Sequence, residues 1–428
     1  MTWQSPIAPG MSWYQDSLSE RPEYAAMDGS RTVDVAIIGG GFTGLQAAYN
    51  LAKAGVSVAL VEGYRFGDGA SGRNGGQFGT GQRAWPDDLE KDIGFERSKA
   101  LFDIAESAKH YVLDFAREHA IDMEFLPGQL NVLHKASYER DYRKSVEAMR
   151  SRYGYSHVSF MEKAETAQRL GSDHYHFGVR DTGTGHIHPL KLVIGLAKAA
   201  KAAGAQIFEM TPAKSIAQSG GKTLIKTSSG TITSNRVLIA TNAHIGNLEP
   251  VTAAHVMPIR SFIGATVPLD DFPDIIPGKE AVADSRFVVR YFRKTPDNRL
   301  LFGGREAYTA DSPRDISKHI RKQIAEIYPA LNAIEMTHAW GGSVGITLTR
   351  QPFVREVMPG VMSIGGYSGH GVMLANYCGK LYADMVVAKD KALDQFASLD
   401  VPSFPGGTTL RAPLLFLALS WYALRDRF

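Results

Sequence analysis

The 428-residue sequence predicts an α/β protein in which a doubly covered parallel sheet is interleaved with a second domain of alternating strands. Three observations carry that expectation. Two short apolar runs, 33–38 and 56–61, flank a three-glycine turn and a helical pattern; a second strand, Gly-rich turn and helix follow at 361–380; and between them, from about Val256, the pattern changes to alternating strands.

Residues 33–38 are β-branched without polar alternation, as in a strand buried on both faces. Gly39, Gly41 and Gly44 come next, and Leu45, Ala48, Leu51 and Ala52 then recur at helical spacing over 42–54. The strand at 56–61 ends at Glu62, 23 positions after Gly39, where an acidic side chain receives the ribose hydroxyls of a dinucleotide. With 43 glycines in the chain, a bare G-x-G-x-x-G arises by chance roughly 0.4 times, so the weight lies in this context. Gly39 allows the tight turn, Gly41 lets backbone N–H groups approach a pyrophosphate, and Gly44 lets helix and strand pack closely.

The segment 66–82 holds seven glycines in 17 residues, too irregular for strand or helix, and reads as a loop lying flat against a ligand. Residues 93–118 have helical apolar spacing, and "FLPGQLNVLH" reads as a strand hairpin. A helix over 190–203, closed by Gly204, and the strand "AQIFEM" return to the first domain, as does the strand at 237–240. "RFVVRYFRKTPDNRLLFGGRE" reads as a hairpin around Pro-Asp-Asn. The expected division is 1–92, 180–255 and 351–428 for the dinucleotide domain, and 93–179 and 256–350 for the substrate domain.

Composition narrows the class. Hydrophobic residues at 44% and charged residues at 21% are those of a soluble globular protein, and a net charge of +3 makes no case for nucleic acid or an acidic membrane. The single cysteine, Cys378, excludes an internal disulfide and a multi-cysteine metal site. With no basic start followed by an apolar stretch at the N-terminus, the expected location is cytoplasmic. The apolar stretch 412–424 is too short to span a bilayer. It reads as a docked terminal helix, with peripheral membrane contact as the alternative.

Five ordered motifs carry a resemblance to the FAD-dependent amine and amino-acid oxidoreductases of the D-amino-acid oxidase family. They are Gly39 to Gly44 with Glu62, "ASGRNGGQ" from Ala70, "TGHIHPLKL", "YFRKTPDNRLLFGG" from Tyr291, and "GYSGHG" from Gly366. The resemblance is strongest toward the branch acting on gamma-glutamylputrescine. It implies an FAD-binding Rossmann-like domain of the glutathione-reductase type interleaved with an α+β substrate domain on an antiparallel sheet, with the active site between them. It implies that Gly39, Gly41 and Gly44 hold the pyrophosphate and Glu62 the adenosine ribose. Arg73, Asn74, Gly75 and Gly76 would lie along the phosphates and ring, Ala213 at the adenine, and Gly369, His370 and Gly371 at the flavin's pyrimidine end.

The implied chemistry is two-electron oxidation of an amine C–N bond, with hydride transfer to flavin N5, hydrolysis of the imine by water, and oxygen or another carrier as final acceptor. The amine must be neutral to react, and an apolar, aromatic-lined pocket helps by lowering its pKa. Relatives acting on alpha-amino acids place an Arg beyond a Trp-x-Gly to grip the carboxylate bidentately. Here the matching position is Val344, which favours a longer amine such as gamma-glutamylputrescine over a D-amino acid or glycine. Arg293 or Arg350 is then the candidate for a distal carboxylate, with Tyr291 on the strand face of Arg293; the expected catalytic set is Tyr291, Arg293 and His370. Relatives that use a Lys over the flavin to assist oxygen have no counterpart at the nearest position, Phe302. Cys378 reads as a buried, inert thiol, so FAD is expected to be held non-covalently. The alternatives are a secondary-amine or N-methyl amino-acid enzyme, a flavin-bearing subunit without turnover, and an NAD-using dehydrogenase, which has no use for the second and third Gly-rich loops.

Overall fold

The protein was analysed as a computed structural model that describes residues 5–307 and 315–407. Its frame is two sheets. The first has a parallel ladder of Gln206–Phe208, Val58–Val61, Arg31–Ile38, Thr231–Ile239 and Val361–Gly365, edged by antiparallel Phe353–Met358. A hairpin, Ser215–Ser219 and Lys222–Lys226, extends it from Thr231–Ile239.

Both faces of the strand Arg31–Ile38 are covered from Val35 to Ile38, whereas Asp34, inside the run expected to be apolar, is exposed at the start of the strand. Val35 and Ile37 join the larger core cluster, under the helices, while Ala36 and Ile38 join a second cluster with Ile225 and Ile232. Four helices cover the first face: Phe42–Lys53, Phe95–Glu118, Pro189–Ala202 and Gly371–Ala388. Two of them nearly touch backbones, since a Cβ on Gly379 would lie 2.3 Å from the Thr43 carbonyl oxygen. That contact sets the middle of Gly371–Ala388 against the first turns of Phe42–Lys53.

Among the described residues, the second sheet has nine strands. Its main path runs Met336–Ile346, Met257–Pro268, Arg299–Ala307, Tyr291–Lys294, Ala281–Asp284, Leu126–Leu133, Phe177–His186 and Gln77–Phe78. Among its described pairings, only that of Ala281–Asp284 with Leu126–Leu133 is parallel. Tyr291–Lys294 and Arg299–Ala307 form the expected hairpin, its turn closed by Asn298 at φ +63°.

Three readings of local structure are corrected. "FLPGQLNVLH" is one strand, because Pro127-Gly128 makes a bulge with Gly128 at φ +95° and pairing to Phe177–His186 resumes beyond it. The glycine-rich segment 66–82 contains one helical turn, Ala70–Arg73, and a short strand, Gln77–Phe78. The long helix begins at Phe95, since Gly94 at φ +81° separates it from Pro86–Ile93.

The chain also crosses between layers where composition gave no sign. The expected boundary at 179/180 lies inside Phe177–His186, a second-sheet strand, and Phe95–Glu118 buries its apolar face on the first sheet's core. The apolar stretch 412–424 lies outside the described residues. Among those described, no helix is long and apolar enough to cross a membrane.

Candidate active site

The parallel strands end at the glycine turn, and steric facts make its glycines obligatory. A Cβ on Gly44 would lie 1.9 Å from the Gly39 carbonyl oxygen, and one on Gly39, at φ +108°, 2.7 Å from that of Ala240. The helix Phe42–Lys53 starts from Gly41, which has no side chain to cap it, and has no acid in its first turn; Ser71 Oγ accepts from the Phe42 N–H at 3.1 Å, and no negative charge offsets the helix dipole there. Glu62 stands beside it: its Oε2 accepts from Gly40 N–H at 2.7 Å and its Oε1 from Tyr64 N–H at 3.0 Å, while burial raises its pKa. Thr211 N–H donates to the Glu62 backbone oxygen at 2.7 Å, which places half-buried Ala213 at the same end of the crevice. Glycine cradle, helix N-terminus and acid fit the adenosine and pyrophosphate half of a dinucleotide.

A cavity of about 310 Å³ lies between the two sheets. Its lining includes Asn74 and Gly75 from the loop, Gly342, Ser343 and Val344 from the strand Met336–Ile346, and Ser368, Gly369 and His370 from the turn before Gly371–Ala388. That helix has neither a capping side chain nor a first-turn acid, so its positive end is left uncompensated at the Gly369 and His370 turn on the cavity wall. Gly369, at φ +87°, has open space where a side chain would be. The His370 ring is neutral: burial and the nearby Arg83 lower its pKa to about 4. Its Nε2–H donates to the Thr80 carbonyl at 2.9 Å, which fixes the tautomer.

Asn74 braces its own loop, donating to the Ala70 and Ser71 carbonyls at 2.9 and 3.0 Å and accepting from Gly76 N–H at 2.7 Å. Gly76, at φ +74°, could carry no Cβ without lying 2.2 Å from the Ile187 oxygen. Arg73 lines the cavity, yet its guanidinium is committed to the Gly341, Pro9 and Gly10 carbonyls, each at 2.8 Å. Burial lowers its pKa to about 10, so it stays charged at neutral pH. The tie gives Arg73 a clamping role between loop, N-terminal segment and second sheet.

Tyr291 is on the cavity wall, its ring wedged between Gly75 and Gly303 and its hydroxyl 3.2 Å from Ser261 Oγ. Arg293 is not, which corrects its assignment to substrate: two residues on along the same face, it is buried behind the loop. It donates to the Gly75 and Ile187 carbonyls at 2.8 and 3.0 Å and to the Tyr14 hydroxyl at 3.0 Å, and lies 3.1 Å from His186 Nδ1. Arg350 does line the cavity, over the Phe287 ring at 5.4 Å. Phe302 stacks on Phe292 in the second sheet's core, away from the cavity, and among the described residues no lysine lines the cavity. Cys378, 1% exposed and off the cavity wall, has its thiol pushed up to about 12 by burial.

The structure adds residues that no motif announced. Arg83, Trp85, Tyr142, Phe287 and Asp284 complete the cavity, Trp85 and Tyr142 meeting edge to face at 5.4 Å. They come from three separate segments, and an isolated aromatic or arginine gives no sequence signal.

Comparison with known proteins agrees with this geometry. The family model "DAO: FAD dependent oxidoreductase" matches residues 34–385. The chain is 69% identical over 428 residues, the full length of both, to the "Probable oxidoreductase OrdL" of Rhizobium meliloti (strain 1021). It is 32% identical over 419 residues, 97% of this chain and 98% of the relative, to the gamma-glutamylputrescine oxidoreductase of Escherichia coli (strain K12). Among solved structures, glycine oxidase from Geobacillus kaustophilus superposes with a TM-score of 0.71 at 22% identity, covering 87% of this chain and 100% of that one, a likeness of fold.

Proposed function

The chain belongs to the DAO family of FAD-dependent oxidoreductases, which act on the CH–NH groups of amines and amino acids, and from that premise we propose that it oxidises gamma-glutamylputrescine or a similar omega-substituted amine. Non-covalently held FAD supplies the acceptor for the hydride that leaves the carbon next to nitrogen. Gly39, Gly41 and Gly44 take the pyrophosphate and Glu62 the adenosine ribose. Asn74, Gly75 and Gly369 to Gly371 would hold the flavin, with the positive end of the helix Gly371–Ala388 available to negative charge on the reduced ring.

The chain's own work is positioning. Tyr291, held by Gly75, Gly303 and Ser261, forms a fixed wall against which the substrate carbon is aligned. Neutral His370 anchors the Thr80 segment without adding charge that would repel the substrate ammonium.

One observation carries the choice of substrate. The strand that would present an arginine to an alpha-carboxylate lines the cavity with Gly342, Ser343, Val344 and Ile346, none of them a cation, while Arg350 stands beyond that strand's end. A carboxylate remote from the reacting carbon, as in the gamma-glutamyl group, is what Arg350 can pair with.

The test is anaerobic mixing of the yellow protein with gamma-glutamylputrescine, putrescine, sarcosine and D-alanine in turn, following the visible flavin band. Bleaching by gamma-glutamylputrescine alone is the expected result, and admitting air then tells oxygen from another acceptor. Bleaching by sarcosine or D-alanine in its place would overturn the reading of Val344, and no bleaching by any amine would point to a subunit without turnover.

A further inference from the structure

Behind the cavity wall lies a cluster of ionisable groups that the reading above does not use. The helix Phe95–Glu118 turns Lys109, 3% exposed, into the protein, where its ammonium lies 2.9 Å from Glu106 Oε1. It donates to the Tyr155 hydroxyl at 3.1 Å and to the Gly183 carbonyl at 2.8 Å. Tyr155 donates to Asp181 Oδ1 at 2.7 Å, and Gly183 N–H to the same oxygen at 2.9 Å. Asp181, 3% exposed, lines the cavity, and so does Thr80, whose hydroxyl donates to Glu106 and whose carbonyl holds His370. The neighbouring strands add only uncharged Gln129 and Val158 opposite Asp181. Two carboxylates therefore share one lysine, and the cluster, in contact with the cavity at both ends, is one positive charge short of balance.

We propose that Asp181 accepts the proton that the substrate's ammonium must lose before its C–N bond can be oxidised. The inference rests on the amine reading and extends to any amine the protein oxidises. The ammonium supplies the missing positive charge on entry. One N–H bond then breaks, its electron pair remains on nitrogen as the lone pair of the neutral amine, and an O–H bond forms on the Asp181 carboxylate. The hydride subsequently leaves the adjacent carbon for the family's flavin, and the proton on Asp181 returns to solvent as the product departs. Burial, with Glu106 adding to it, raises the Asp181 pKa, which brings a carboxyl closer to the strength this task needs.

The experiment is the pH profile of anaerobic flavin reduction, using whichever amine of the panel bleaches the wild type. Asp181→Asn is expected to slow reduction roughly 100-fold at pH 7 and to recover as pH rises toward the amine's own pKa, when solvent can take the proton. An infrared carboxylic-acid band that appears on amine binding to the wild type should be missing in this variant. Glu106→Gln removes a negative neighbour that raises the Asp181 pKa, so the acid limb of its profile should move to lower pH. A loss in Asp181→Asn that is equal at every pH, or an unmoved limb in Glu106→Gln, would overturn the proposal while leaving the substrate reading intact. A wild type bleached by no amine would remove the amine reading itself, and the proposal with it.

Discussion

At the residue scale, the two ends of the site differ in what a substitution does. Gly44 has no room for a methyl group, so Gly44→Ala must push strand and helix apart at the turn proposed to take the pyrophosphate. The expected outcome is FAD affinity lowered about 10- to 100-fold, the equivalent of 1–3 kcal/mol of overpacking, measured as the flavin-to-protein ratio through a dilution series; retention equal to wild type would remove the cradle assignment. Arg350 acts at the other end. If it pairs with a distal carboxylate, Arg350→Gln should raise KM for gamma-glutamylputrescine about 10- to 100-fold with little change in kcat, and leave any slow turnover of putrescine, which has no carboxylate, unaffected. An equal loss on both amines would mean that Arg350 supports the cavity wall only. Residue types and spacing announced Gly44 well; Arg350 was one of two candidates, and only packing separated it from Arg293.

At the element scale, the helix Pro189–Ala202 shows how a local end can depend on protonation. His188 caps it, its Nδ1 accepting from Lys191 N–H at 3.2 Å, with Nε2 3.0 Å from Ser17 Oγ. Burial, helped by the Arg293 and Lys191 charges, lowers its pKa from 6.5 to about 3. The folded state thus refuses a proton that the unfolded chain takes up below about pH 6.5, so this contribution is fully present above that pH and is lost as pH falls toward 3. His188→Asn keeps a capping oxygen but cannot titrate. Its melting temperature should fall less than that of the wild type between pH 7 and pH 4, and parallel curves would rule the linkage out. The helix itself was plain from its apolar period and Gly204, whereas nothing in "HIHPLKL" told that the second histidine caps it. The misread hairpin at 125–134 has the same origin: Pro-Gly signals a turn locally, and pairing with Phe177–His186 on both sides of Gly128 makes it a bulge.

At the scale of the whole molecule, Arg73 joins three parts of the chain that are remote in sequence. Its guanidinium holds Pro9, Gly10 and Gly341, and its own carbonyl accepts from Trp340 Nε1–H at 3.0 Å. Arg73→Ala should destabilise by roughly 3 kcal/mol and weaken flavin retention, because buried carbonyls lose charged donors. Arg73→Lys should not rescue it, since one ammonium cannot satisfy three carbonyls set for a planar fork; a lysine variant as stable and as yellow as wild type would sink the clamp. The sequence by itself determined the dinucleotide unit and the interleaving, because strand, turn and helix signals are local and the glycine cradle is a backbone requirement that no other residue meets; the flavin was legible only through the five ordered motifs that resemble the family. The sequence determined less of the cavity. Which arginine reaches it, that Arg293 is spent on Gly75 and Ile187, that Arg83, Trp85 and Tyr142 line it, and that Asp181 reaches it with Lys109 and Glu106 behind were decided by tertiary structure alone. Those residues come from segments whose approach is set by long-range packing of two sheets, and a side chain's partners across such a distance leave no period in the sequence.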